Sequence, residues 1–125
     1  MERNIDRPIT PKEAAIVQWL LDHAPVGDVT AYREKPVGEL RVVAGCDCGC
    51  CSLHFEPPGP PHPRRIADAT ARYADGQQAY LMLWGRDGRT VWLEVSDCQP
   101  GSSHRVPEIS NLRTWEEFGQ ELLQR

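Results

Sequence analysis

Four cysteines fall within six residues in the stretch Gly45-Cys46-Asp47-Cys48-Gly49-Cys50-Cys51-Ser52. Thiolates are strong ligands for zinc, copper(I) and iron–sulfur clusters, and neighbouring thiols exchange electrons as disulfides. The run C-D-C-G-C-C is too compact to wrap four thiolates tetrahedrally around one ion. Three thiols plus one more distant ligand is the workable arrangement, so the chemistry depends on which thiols face the same way.

The flanking residues bear on that. Leu40-Arg41-Val42-Val43-Ala44 and Leu53-His54-Phe55 have strand character. Asp47-Cys48-Gly49 between them suits a three-residue hairpin loop with Gly49 in the left-handed conformation. That register sets Cys46 opposite Cys50. Alternation then places Val43, Cys51, Leu53 and Phe55 on a core face, and Val42, Ala44, Cys46, Cys50, Ser52, His54 and Glu56 on the other, with Cys48 at the tip. Cys46, Cys48 and Cys50 are the expected metal ligands, and Cys51 is a buried small hydrophobe. His54 lies four residues from Cys50, about 13 Å along an extended strand, too far to share an ion with it.

The elements that must hold this hairpin are legible in order. Thr10-Pro11-Lys12-Glu13 is a capping box with proline at the first helical position. It opens an amphipathic helix over residues 11–24 with Ala15, Ile16, Trp19, Leu20 and His23 on one stripe, ended by Pro25 and Gly27. His23 there suits the helix dipole rather than a ligand role. Asp28 starts a short helix that stops before Pro36. After the hairpin of residues 39–57 comes the stiff connector Pro57-Pro58-Gly59-Pro60-Pro61-His62-Pro63. Residues 65–74 read as a strand with Ala67, Ala69, Ala71 and Tyr73 on one side. Residues 79–84 and 90–95 form the next hairpin through Arg86-Asp87-Gly88. Thr114-Trp115-Glu116-Glu117 is a second capping box, opening a helix to Leu123. The expected fold is α+β, a five-stranded antiparallel meander with an N-terminal and a C-terminal helix, in a single domain of residues 1–125.

In a meander, Cys98 leaves the last strand at the same end of the sheet as the cysteine turn, and so is the candidate fourth ligand. Three strand spacings, about 14 Å, separate it from the turn. A Cys46–Cys50 disulfide switch is the other thiol chemistry open to the hairpin. On the second hairpin Leu81, Leu83, Val91, Leu93 and Val95 share one face. Tyr80, Met82, Trp84 and Trp92 form an apolar patch on the other. Either the helix bearing Trp115 and Phe118 covers that patch, or it binds a partner, whether another protein or a second copy of the chain.

Other classes are disfavoured. The net charge of −4 and pI near 5.5 give no electrostatic case for nucleic acid or an anionic membrane. No apolar leader or run of transmembrane length appears, so the expectation is a cytoplasmic protein with reduced thiols. No G-x-S-x-G, H-E-x-x-H, Walker or Rossmann pattern is present. A Cys48–His104 pair would lack an oxyanion hole and an orienting carboxylate. A non-enzymatic domain is expected.

The chain resembles a group of small bacterial proteins of uncharacterised function. The similarity lies in Arg7-Pro8-Ile9-Thr10-Pro11-Lys12-Glu13 with Trp19-Leu20-Leu21, in Cys46-Asp47-Cys48-Gly49-Cys50-Cys51-Ser52, and in Gly88-Arg89-Thr90-Val91-Trp92-Leu93-Glu94-Val95. Sequences of that group tend to read C-x-C-G-C-P-[ST] in the middle motif, so Cys51 stands where proline is usual. The resemblance implies that Cys46, Cys48 and Cys50 are the matched triplet, and it implies no activity. The overall expectation is a thiol-rich hairpin that binds zinc or copper(I), with an adaptor-like or immunity-like interaction module and a thiol-redox switch as alternatives.

Overall fold

The computed structural model describes residues 2–23 and 29–123. Strand β1 (Glu2–Pro8) leads into helix α1 (Pro11–His23), followed by the single turn α2 (Thr30–Arg33). Then come β2 (Arg41–Cys46), β3 (Leu53–His54), β4 (Arg64–Arg72), β5 (Gln78–Arg86), β6 (Arg89–Asp97), β7 (Leu112–Arg113) and helix α3 (Trp115–Leu123). Among the described residues the strands make one seven-stranded sheet in the order β1-β2-β3-β6-β5-β4-β7, antiparallel at every pairing. No helix among them is long and apolar enough to cross a membrane. Pro25, Gly27 and Asp28, the expected helix boundaries, lie outside the described residues.

The α+β class holds, but the five-stranded meander is corrected twice. Two edge strands, β1 and β7, are added. More consequentially, β3 pairs with β6 and not with β4. The cause is the proline-rich segment after β3. Its prolines cannot donate ladder hydrogen bonds, so it crosses the sheet instead of turning back beside β3. On the way it is pinned by Arg86, which donates to the Gly59 carbonyl at 2.9 Å, and by His62, edge-on to Trp84 at 6.1 Å. β2 and β6 run in the same direction, as expected, but only two strand spacings now separate them, about 10 Å.

The core lies between α1 and the inner face of the sheet. Ile16, Val17, Leu20 and Leu21 are buried against Leu81, Leu83, Leu93 and Val95. Ala67, Ala69 and Ala71 on β4 are fully buried, and their small side chains let α1 approach the sheet closely. The helical stripe is rotated from the expected one: Ala15 is exposed, and Val17 and Leu21 are buried. On β2 the expected parity is also reversed, with Val42 fully buried and Val43 only half-buried. The β5–β6 loop is a two-residue turn, Asp87-Gly88, with both φ angles positive (52° and 76°) rather than a three-residue loop. Such a turn matches the twist of the flanking strands.

Both capping boxes form. The Glu13 amide donates to Thr10 Oγ1 at 3.2 Å, and the Thr10 amide donates to Glu13 Oε1 at 3.0 Å. The Glu117 amide and Thr114 Oγ1 repeat the pattern at 3.1 Å. Arg7 on β1 adds a fork to Glu13, with two N–H···O contacts of 2.8 Å each. Burial pushes the Glu13 carboxyl up, but the hydrogen bonds from Arg7 and Thr10 outweigh it and hold it below the ordinary glutamate range. A carboxylate with a depressed folded-state pKa stabilises above its unfolded pKa of about 4.3 and loses that contribution as pH falls through the folded value. Arg7→Met is therefore expected to destabilise by about 1 kcal/mol at neutral pH. The difference from the parent chain should close in acid, read by urea denaturation at a series of pH values.

Candidate metal centre

β2 and β3 frame the cysteine turn. The Gly49 amide donates to the Cys46 carbonyl at 3.2 Å, closing a turn on Asp47 and Cys48, and Gly49 takes φ 86° as its sequence position requires. The pairings Ala44–His54 and Gly45–Leu53 give a wider loop than expected. Continued outward, that register sets Ser52 opposite Cys46, so the expected Cys46–Cys50 pairing is corrected. The thiol in contact with Cys46 is Cys48, at an Sγ–Sγ distance of 2.9 Å.

The three expected ligands nonetheless converge. The Sγ atoms of Cys46, Cys48 and Cys50 lie within 4.8 Å of one another, a group of three that could hold a metal ion. Thiolates bound to one tetrahedral ion at about 2.3 Å stand about 3.8 Å apart, so small rotations of these side chains would reach ligand spacing. Cys48 is exposed and Cys46 and Cys50 half-buried, which leaves the group open to an incoming ion.

The environment separates the thiols electrically. The contact with the Cys48 thiol lowers the Cys46 pKa below that of an ordinary thiol. The same contact raises the Cys48 thiol to about 11. Cys51 packs against the core, as expected, and its burial pushes its thiol up to about 11.

Residues not singled out beforehand as site residues fix the turn to the sheet. Ser52 is buried, and its Oγ accepts from the Val95 amide at 2.9 Å and from the Cys50 thiol at 3.3 Å while donating to the Val95 carbonyl at 3.3 Å. The Cys51 amide donates to the Ser103 carbonyl at 2.8 Å. Ser103 is itself tied to β6, because its amide donates to Asp97 Oδ1 at 2.6 Å. Hydrogen bonds from Ser103 hold the Asp97 carboxyl below the ordinary range. Only the S of the C-x-C-G-C-x-[ST] pattern could have pointed to any of these.

Cys98 does not join the group. Its thiol lies against the Tyr80 hydroxyl, and burial raises its pKa despite that hydrogen bond. The shorter strand path therefore does not deliver it, since its side chain is taken up by the outer face of β5. His104 comes to the turn instead: a methyl carbon built on Gly49 would stand 3.9 Å from its Cε1. With Cys50, Cys51, Arg7 and Glu13 it lines a cavity of about 230 Å³.

The aromatic patch is divided. Trp115 of α3 rests on Tyr80 at a centroid distance of 5.1 Å, while at the other end Trp84 stacks on Trp92 at 5.6 Å and Trp92 on His54 at 5.2 Å. Trp84 also donates to Glu94 at 3.1 Å. Met82, Trp84 and Trp92 are half-buried and Tyr80 is exposed. No family model, curated protein or solved structure matches this chain. Fold and site define it as a small α+β domain with a three-thiol turn.

In the reduced, metal-free protein, iodoacetamide should alkylate Cys46 at lower pH than the more exposed Cys48, with Cys51 slowest. Cys48→Ala removes that contact and should shift Cys46 labelling to higher pH, as followed by peptide mass mapping.

Proposed function

We propose that this domain binds one soft metal ion, zinc or copper(I), through Cys46, Cys48 and Cys50. The observation that carries the reading is the convergence of these three sulfurs at one accessible turn. A soft thiolate set favours such ions over oxygen-seeking magnesium or calcium. The ion would supply the charge that draws the protons off the ligating thiols, because a metal-bound thiol is a thiolate. Ser52 and Ser103 would keep the turn in place while the thiols rotate inward. His104, beside Gly49, is the candidate for a fourth ligand in a tetrahedral zinc site, whereas copper(I) is satisfied by three sulfurs.

Native mass spectrometry of freshly reduced protein should show a single ion bound per chain. Cys46→Ser, Cys48→Ser and Cys50→Ser should each weaken binding by more than about 100-fold, while Cys51→Ser and Cys98→Ser should leave it within a few-fold. His104→Ala should weaken zinc and spare copper(I). An apo mass after incubation with either ion would reject the reading.

The 2.9 Å contact between Cys46 and Cys48 favours a second use of the same turn. An external disulfide such as oxidised glutathione can accept two electrons and two protons from this pair, leaving a Cys46–Cys48 bond. Metal binding and oxidation would then exclude one another.

A further inference from the structure

The three sulfurs of the cysteine turn are held unequally. Cys46 is the last residue of β2 and is paired there with Glu2 of β1. Cys50 donates its thiol to Ser52 Oγ at 3.3 Å, and Ser52 is bound in turn to both backbone groups of Val95. Cys48 has neither support. It is exposed in the turn that the Gly49 amide closes, and its sulfur meets the Cys46 sulfur at 2.9 Å and the Cys50 amide at 3.4 Å, both within the turn.

No histidine, carboxylate or further cysteine among the described residues joins the group of three. Cys51 packs against the core, Cys98 lies against Tyr80, and His104 stands beside Gly49 but outside the group. Structural zinc sites almost always have four protein ligands, so zinc here would have to draw His104 in or complete its shell with water. Copper(I) prefers soft sulfur ligands and is satisfied by three. A three-coordinate ion at an exposed turn keeps one side open to solvent. A donor arriving from that side can bind before any protein sulfur lets go, which avoids releasing a free ion.

Resting on the metal-binding reading, we propose that the turn is a copper(I) carrier: it holds the ion with three sulfurs and passes it to an incoming thiol, with Cys48 as the ligand that leaves. The acceptor sulfur bonds to copper at the open side, and the bond from copper to Cys48 breaks. The proton given up by the acceptor thiol ends on Cys48. Copper stays in the +1 state throughout, so no oxidant or reductant takes part. Cys46 and Cys50, the two anchored sulfurs, keep the ion on the protein while the acceptor binds.

The test uses the full chain loaded with copper(I) in the absence of oxygen. Relative to the metal-free chain, iodoacetamide should still modify Cys48 while Cys46 and Cys50 lose their labelling, as read by peptide mass mapping. X-ray absorption at the copper edge should show three sulfurs and no imidazole nitrogen. Transfer to a fixed concentration of bicinchoninate, followed by the colour of its copper(I) complex, should speed up in proportion to added glutathione. Cys46 or Cys50 modified as readily as Cys48, a nitrogen bound to copper, or a transfer rate indifferent to glutathione would each overturn the proposal while leaving metal binding in place. A chain that binds zinc but no copper(I) would overturn it as well, and a chain that binds neither would also remove the reading it rests on.

Discussion

Two residues join the halves of this sheet. Leu53 and His54 pair on one side with Gly45 and Ala44 and on the other with Leu93 and Trp92, so among the described residues β3 is the only bridge from β1-β2 to the remaining four strands. A strand this short supplies few ladder bonds of its own, and its neighbours supply the rest. Ser52 bonds both backbone groups of Val95 on one side, and the Phe55 amide donates to the Val91 carbonyl at 2.8 Å on the other. Leu53 and Phe55 are buried in the core, while His54 faces outward onto Trp92. The cysteine turn enters this bridge and the proline-rich segment leaves it, so both take their position from it.

The thiol turn combines accessibility with anchoring. Its sulfurs stand at the surface, where ions and oxidants arrive, yet the backbone on its return side is tied to β6 through Ser52 and through the Ser103–Asp97 relay. Cys51, turned inward, adds apolar packing and no reactive sulfur. Four neighbouring cysteines thus divide into three available for chemistry and one that is part of the core. Cys48, Cys50 and Cys51 lie between β2 and β3, so the division rests on a glycine that can adopt positive φ where the turn must close and on the bond from the Cys51 amide to Ser103.

The sequence made the helices, the long hairpin and the triplet of thiols legible because each rests on local rules. Capping boxes, period-two alternation in β5 and β6, and the Gly49 turn are all satisfied within a few residues of chain. What was missed depends on distant contacts. β1 carries one apolar residue among charged ones and reads as a tail until β2 is beside it. β7 has two residues and no periodicity at all. The β3–β6 pairing was hidden because prolines announce a connector without saying where it lands. The placing of Cys98 failed for a related reason. Strand direction fixes the end of the sheet from which a residue emerges, but its neighbours decide what its side chain touches, and Tyr80 was nearer at hand than the turn. His104 came close to the thiols through a loop folded back on the Asp97 carboxylate, which accepts from the Gly101 and Ser103 amides, an irregular turn with no periodic signature.

The charged first strand has an effect beyond closing one end of the sheet. Asp6 is held by Arg41 of β2 at 2.7 Å and Arg7 by Glu13 of α1 at 2.8 Å, so this edge strand carries charged side chains in ion pairs still partly in contact with water. A strand from another molecule arriving there would have to dehydrate those charges before gaining backbone bonds. Templated growth into fibrils is disfavoured on that side.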